Sequence, residues 1–235
     1  MTPIMKVNLA NRKNYGSARA ADKIKYIVIH YTGNDGDTDE GNATYFKNNV
    51  VSASAHYFVD DDSITQSVPD NFIAWAVGGT KWKDCAATGG GTMYGKITNA
   101  NSISVEMCDT KKDGRLQASD QTMENTVTLV KSLMKKYNID VNGVYRHFDV
   151  TGKHCPSYFM NAAAWDAFKA KLKESETVNV PIYKTLDDIP SWARDTVKKL
   201  IAHGSLKGDA NGELNLDRNM LRLLVINDRE GLYGK

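Results

Sequence analysis

Cysteine is scarce in this sequence: Cys85, Cys108 and Cys155 are the only three in 235 residues. Three irregularly spaced thiols make no disulfide framework, and an odd count leaves at least one sulfur without an intrachain partner. No apolar run approaches the roughly 20 residues that a membrane-spanning helix needs, so no membrane insertion is expected. Excess charge is lacking as well. The formal net charge is +2, and no strong field points to nucleic acid or an anionic membrane surface. The N-terminal stretch MTPIMKVNLANRKNYG carries charges but lacks the apolar centre of a secretory signal. Synthesis in the cytoplasm is expected, with any route outward supplied by another factor. What remains is ordinary: 41% apolar and 25% charged residues suit a globular protein, and the length suits one full domain plus a small accessory one.

Lys25-Tyr26-Ile27-Val28-Ile29-His30-Tyr31 is rich in β-branched and aromatic residues and predicts a strand. It runs into Thr32-Gly33-Asn34-Asp35-Gly36, a loop-forming cluster. A helix follows through residues 42–47. Residues 55–59 and 63–68, separated by Asp60-Asp61-Asp62, predict a hairpin. From Gly78 to Asn101 there is little periodicity, and Gly89-Gly90-Gly91 lies within; the stretch reads as a long surface loop in which Cys85 is an incidental thiol. Ile103 to Met107 predicts a short strand, with Cys108 after it as a small buried hydrophobe. Met123, Val127, Val130, Leu133, Met134 and Tyr137 recur at spacings of three and four, predicting a helix over 119–137 with Ser119 as N-cap. Val144 to His147 predicts a strand entering a loop with Lys153, Cys155 and Pro156, and a helix over 161–174 closes the domain. Strands interleaved with helices define an α/β domain over residues 1–174, a mixed central β-sheet flanked by helices.

Residues 175–183 lose helical period and contain Pro181, which reads as a linker. Residues 184–235 predict a small helical module. One stripe is Trp192, Val197, Leu200 and Ile201; a second is Met220, Leu221, Leu224 and Val225, and a turn spans Gly204 to Gly212. Asp209-Ala210-Asn211-Gly212-Glu213 superficially suggests a calcium loop. Its glycine is misplaced and Met220 stands where the closing glutamate belongs, so it reads as a plain turn. His203 precedes Gly204 at a helix end, where a cation suits the dipole.

His30 stands at the carboxyl end of a predicted strand, His147 at the end of another, and Cys155 follows within one loop. Imidazole and thiolate are ligands zinc prefers, and a catalytic zinc site takes three with the fourth position open. The spacing matches no short zinc-finger pattern, and two ordinary histidines plus a buried cysteine are the alternative. The flanking sequences add to this. Tyr26-Ile27-Val28-Ile29-His30-Tyr31-Thr32, Ser54-Ala55-His56-Tyr57-Phe58-Val59, Asn101-Ser102-Ile103-Ser104-Val105-Glu106 and Arg146-His147-Phe148-Asp149-Val150-Thr151-Gly152-Lys153-His154-Cys155-Pro156 occur in that order. Together, over roughly residues 5–172, they resemble the zinc amidases of phage endolysins of clostridial type, relatives of the animal peptidoglycan recognition proteins.

The resemblance implies Zn2+ held by His30, His147 and Cys155. It also implies cleavage of the amide between N-acetylmuramic acid and L-alanine in bacterial peptidoglycan. Glu106 matches the family's acidic residue, the general base, and strand alternation sets Ser102, Ser104 and Glu106 on the face opposite Ile103 and Val105. An exposed carboxylate in a surface ion pair is the alternative. Lys153 matches the cation that stabilises the oxyanion; a loop lysine in water is the alternative. His56 lies near the family's cleft, as a substrate contact or as a hydrogen-bonded structural histidine. Trp75 either stacks on substrate or belongs to the core. His154, adjacent to Cys155, aims away from the metal. Many relatives carry a histidine after this tryptophan, where Ala76 stands here, which removes one polar substrate contact.

The rival reading is a non-catalytic peptidoglycan receptor of the same fold. A broken ligand set would favour it, whereas the three ligands and Glu106 are all present. A structural zinc protein would want a fourth protein ligand. Ile189-Pro190-Ser191-Trp192-Ala193 and Gly208-Asp209-Ala210-Asn211-Gly212 resemble surface-layer homology modules and the tails of clostridial endolysins. That implies a module that binds cell wall or, failing that, mediates self-association. The same resemblance implies release to the wall through a phage-encoded pore.

Overall fold

Ile27, Val28, Ile29 and His30 are all buried, which requires a strand covered on both faces. They lie in the first of two compact units, residues 1–175 and 176–235. The computed structural model describes residues 3–174 and 181–234. The first unit runs β1 (Ile4–Val7), β2 (Tyr15–Ala18), β3 (Tyr26–Tyr31), α1 (Asp39–Asn48), β4 (Tyr57–Val59), β5 (Ser63–Gln66), β6 (Phe72–Ala74), α2 (Cys85–Thr88) and β7 (Ser102–Met107). It continues with β8 (Thr110–Lys112), β9 (Arg115–Gln117), α3 (Asp120–Tyr137), β10 (Val144–Arg146), α4 (His147–Thr151) and α5 (Ala162–Lys173). Six strands form one mixed sheet in the order β1-β5-β4-β7-β3-β10. Within it β4 and β5 pair antiparallel, as the predicted hairpin, and every other neighbouring pair is parallel. The predicted class, a mixed sheet flanked by helices, is the one observed.

Strand alternation divides the side chains between two layers. On one face Ile27 and Ile29 of β3, Ile103, Val105 and Met107 of β7, and Val59 of β4 pack against Val127, Val130 and Leu133 of α3 and Phe168 and Leu172 of α5. The predicted stripe on α3 is therefore its sheet-facing side, and Ser119 Oγ caps the helix by accepting from Thr122 N at 3.0 Å. On the other face Phe58 meets Ala43 and Phe46 of α1, and Val28 meets Val77, Ile97 and Val150. His30, Ser104 and Glu106 share this second face.

The irregular segment 78–101 departs from expectation. It includes the single turn α2 and lies against α4, because Trp82, Gly91 and Met93 donate backbone hydrogen bonds to the carbonyls of Thr151, Phe148 and Asp149. Cys85 is accordingly buried and not an incidental loop thiol. Three short pairings, β1 with β5, β2 with β6 and β8 with β9, had no counterpart in the sequence reading.

In the second unit α6 (Ser191–Ala202) and α7 (Arg218–Arg229) enclose Ile189, Ala193, Val197, Leu216, Leu221 and Val225. Asp209 explains the turn between them: its Oδ1 accepts from Asn211 N (2.8 Å) and Glu213 N (3.1 Å) and its Oδ2 from Asn215 Nδ2 (2.8 Å), which makes a hydrogen-bonded turn and not a cation loop. His203 is the C-cap of α6, as expected. Of the expected linker, residues 175–180 lie outside the described residues. Tyr183 belongs to the module: its N–H donates to Leu216 O at 2.8 Å and its carbonyl accepts from Leu216 N at 3.1 Å.

Asp70 ties the end of the hairpin to α3. It accepts from Tyr57 OH at 2.6 Å, Tyr137 OH at 2.6 Å and Lys136 Nζ at 2.8 Å. Burial pushes its carboxyl up, but the donors from Lys136, Tyr137 and Tyr57 outweigh that and hold it below the usual carboxylate range. A carboxyl depressed in the fold stabilises above its unfolded-state value of about 3.9, and the contribution is lost as pH falls through the folded value. Asp70→Asn is expected to cost about 1.5–3 kcal/mol at neutral pH. In denaturant titrations the gap between the two proteins should close at strongly acidic pH; a gap of constant size would contradict the assignment.

Candidate metal centre

The site is assembled at the carboxyl ends of β3, β7 and β10. In register, His30 on β3 is opposite Glu106 on β7, and Ile29 is opposite Arg146 on β10, so the residue after Arg146 arrives beside His30. That residue is His147, and the two imidazole centroids are 4.7 Å apart with planes at 58°. The chain turns into α4 there because Asp149 Oδ2 accepts from Arg146 N at 2.8 Å, while Asp149 Oδ1 binds Arg146 Nη2 at 2.6 Å. Gly152, in the left-handed region at φ 89°, ends the helix. The returning turn is pinned by Phe148 N donating to Cys155 O at 3.0 Å. It brings Cys155 Sγ to 3.9 Å from His30 Nδ1.

One potential ligand atom from each of His30, His147 and Cys155 lies within 4.8 Å of the other two, and all three residues are buried. Among the described residues they are the one such group of three. His147 Nδ1 is buried without a hydrogen-bond partner, a costly arrangement for a ring nitrogen that binds nothing, and His30 turns Nδ1 towards Cys155 Sγ. Burial lowers the pKa of both rings, His30 well below its ordinary value and His147 to about 4, with His147 and Lys153 adding to the effect on His30 and Lys153 to that on His147. Neutral imidazole is the form that binds a metal. Burial and the nearby Glu106 push the Cys155 thiol up, while the Tyr31 backbone N–H and Lys153 favour the thiolate. Two imidazoles and one sulfur, with no fourth donor grouped with them among the described residues, fit a zinc ion that keeps one position open.

Glu106 Oε1 is 3.7 Å from His30 Nδ1, and Oε2 is buried without a partner. Burial holds this carboxyl up at about 8, with Lys153 pulling it down and Asp109 and Asp37 adding to the rise. It is no surface ion pair. Such a group takes up and returns a proton near neutrality. Glu106 and the exposed Lys153 line one cleft of about 520 Å³ together with Thr32, Asn34, Asn42 and Tyr45. Asp109 was missed in the sequence. Its Oδ2 accepts from Gly33 N at 2.8 Å and fixes the loop that carries Thr32 and Asn34 into the cleft; an acid two residues after a strand and facing a glycine loop was the available signal.

The remaining expectations divide. His56 is fully buried, with Nδ1 accepting from Ser104 N at 3.0 Å and Nε2 at 3.1 Å from Phe72 O and 2.9 Å from Arg19 Nη2, the surroundings of a hydrogen-bonded structural histidine. Trp75 is half-buried and lines a separate hollow of about 460 Å³ with Val77, Tyr94 and Asn99, not the cleft of Glu106 and Lys153. His154 points away from the metal group, stacked on Trp82 at 5.8 Å with Nε2 3.5 Å from Asp84 Oδ2. Cys108 is a small buried residue, as expected.

A mixed sheet thus carries two histidines, a cysteine and a raised carboxyl at one end of its parallel strands, a set of groups that could hold a metal ion. Residues 20–158 match the family described as N-acetylmuramoyl-L-alanine amidase, and the chain belongs to that family. It is 31% identical over 193 residues to the N-acetylmuramoyl-L-alanine amidase BlyA of Bacillus subtilis, covering 80% of this chain and 51% of that protein. It is 32% identical over 173 residues to CwlA, another N-acetylmuramoyl-L-alanine amidase of that species, covering 71% and 57%. The chain thus spans about half the length of the curated relatives it matches. Among solved structures, that of PlyL superposes with a TM-score of 0.57 at 30% identity, covering 74% of this chain and 98% of that one. A mutant endolysin from Bacillus subtilis gives 0.56 at 29%, covering 73% and 99%.

His56→Ala is expected to destabilise the fold by about 1–3 kcal/mol, since it strands the Ser104 N–H and the Phe72 carbonyl. Metal stoichiometry should not change. Loss of metal at an unchanged melting temperature would return His56 to the site.

Proposed function

We propose that this chain is a zinc-dependent N-acetylmuramoyl-L-alanine amidase that cuts the amide joining the lactyl group of N-acetylmuramic acid to L-alanine in bacterial peptidoglycan, as an endolysin does in host lysis. The observation that carries the reading is the convergence of His30, His147 and Cys155 beside Glu106, in a chain of this family. His30, His147 and Cys155 would hold the zinc. Bound there, zinc supplies Lewis-acid polarisation of a carbonyl and lowers the pKa of a water towards neutrality.

The protein's own groups do the rest. Glu106 takes the proton of the attacking water at its carboxylate and returns one to the leaving amine, a role its place 3.7 Å from the His30 ring allows. Lys153, which lines the same cleft, offers its ammonium to the oxygen on which negative charge develops. The buried imidazoles stay neutral and do not compete for that proton. Residues 181–234 form a separate folded module, which we assign to wall binding; there it raises the effective concentration of the hydrolytic unit on its substrate.

Glu106→Gln should keep the metal and lose about 10²–10⁴-fold in turnover. Lys153→Ala should lose about 10²–10³-fold, in kcat more than in KM. Clearing of purified cell walls gives the rates, and mass spectrometry of the released fragments shows which bond breaks. Turnover by Glu106→Gln at the parental rate would remove Glu106 from the reaction. Deleting residues 176–235 should weaken sedimentation with cell walls while leaving kcat on a soluble muropeptide unchanged; undiminished sedimentation would refute the wall-binding role.

A further inference from the structure

None of the residues lining the cleft of Glu106 and Lys153 comes from the segment 78–101, yet that segment is bound to the one-turn helix that begins with His147. Gly91 N–H donates to Phe148 O at 2.9 Å, Met93 N–H to Asp149 O at 2.8 Å and Trp82 N–H to Thr151 O at 2.7 Å. A helix of five residues leaves most of its carbonyls without internal partners; this segment supplies donors to Asp149 and Thr151 and a second donor to Phe148, which Gly152 N also reaches. Cys85 sits at the centre of the contact. Its Sγ is 3.6 Å from Thr151 O and is enclosed by two glycines in the left-handed region, Gly91 at φ 64° and Gly152 at φ 89°. A methyl group on Gly91 would lie 2.9 Å from the sulfur, and one on Gly152 would overlap it and meet Trp82 Cβ at 3.1 Å. Gly90 is as tight, since a methyl there would lie 2.7 Å from Phe148 Cε2 and 2.8 Å from Gly152 Cα.

The sulfur therefore sets the position of Gly152 by direct contact. Gly152 precedes Lys153 and stands three residues before Cys155. The turn between is short and closed, with Cys155 N donating to Lys153 O at 2.7 Å and Phe148 N to Cys155 O at 3.0 Å. Close-packed interiors transmit small displacements and do not absorb them. We infer that Cys85 is a positioning residue: its sulfur, wedged between Gly91 and Gly152, fixes the 152–155 turn so that Cys155 and Lys153 meet His30, His147 and Glu106. The inference rests on the metal reading proposed above.

The test compares Cys85→Ser, Cys85→Ala and Cys85→Leu in the full chain. Cobalt(II) titration reads the thiolate-to-metal charge-transfer band, competition with a chromogenic chelator reads affinity, and wall clearing reads kcat and KM. Cys85→Leu should shift the band, weaken metal binding by about 10–100-fold and lower kcat with KM unchanged. Cys85→Ser, nearly the same size, should restore all three, and Cys85→Ala should fall between. Parental band, affinity and kcat in Cys85→Leu overturn the inference. If that protein does not fold, the same parental values in Cys85→Ala overturn it. Absence of a thiolate band in the parent protein overturns the metal reading and this inference together, which keeps the two failures distinguishable.

Discussion

The parallel register of β7, β3 and β10 is the constraint from which the chemistry of this protein follows. It sets Glu106 opposite His30 and delivers His147 one residue beyond the last paired position. A slip of one residue in β3 would turn His30 towards α3 and bring Ile29 to the cleft face. What forbids the slip is hydrophobic. Ile27 and Ile29 have no water-free place except against α3 and α5, and Val28 has none except among Val77, Ile97 and Val150. The apolar pattern of the core and the convergence of the polar site are thus one requirement met by one pairing.

Burial then gives these polar groups their character. Two imidazoles held neutral, a carboxyl raised to about 8 and an enclosed sulfur all share one low-dielectric corner. His30 Nε2, His147 Nδ1 and Glu106 Oε2 are left without protein partners, at a cost on the order of 1–3 kcal/mol for each. The fold tolerates this because the apolar layer between sheet and α3 is extensive and continuous. Stability and reactivity therefore sit on opposite faces of the same three strands.

Much of this was legible in the chain. β3 announced itself by a run of β-branched residues, α3 by its spacing of three and four, and the alternation through Ile103, Val105 and Glu106 assigned faces correctly. The proposed metal ligands were legible through their flanking motifs more than through their spacing. What escaped was whatever depends on partners distant in sequence. β1 is a strand because β5 offers an edge, and nothing in Ile4–Val7 alone requires it. Cys85 looked idle beside glycines, yet those glycines are what let α4 come close enough to bury it. His56 and His147 both adjoin strand-like sequence; His56 is consumed by Ser104 N and Phe72 O, and only three-dimensional pairing distinguishes them.

The two backbone hydrogen bonds between Tyr183 and Leu216 have a practical consequence for the smaller unit. They join its entry segment to the residue just ahead of Asp217, whose carboxylate caps α7 by accepting from Met220 N at 2.7 Å. A fragment begun at residue 184 would discard that clasp and leave the start of α7 unbraced. A fusion partner that carries this tail to another enzyme should accordingly be joined upstream of Pro181.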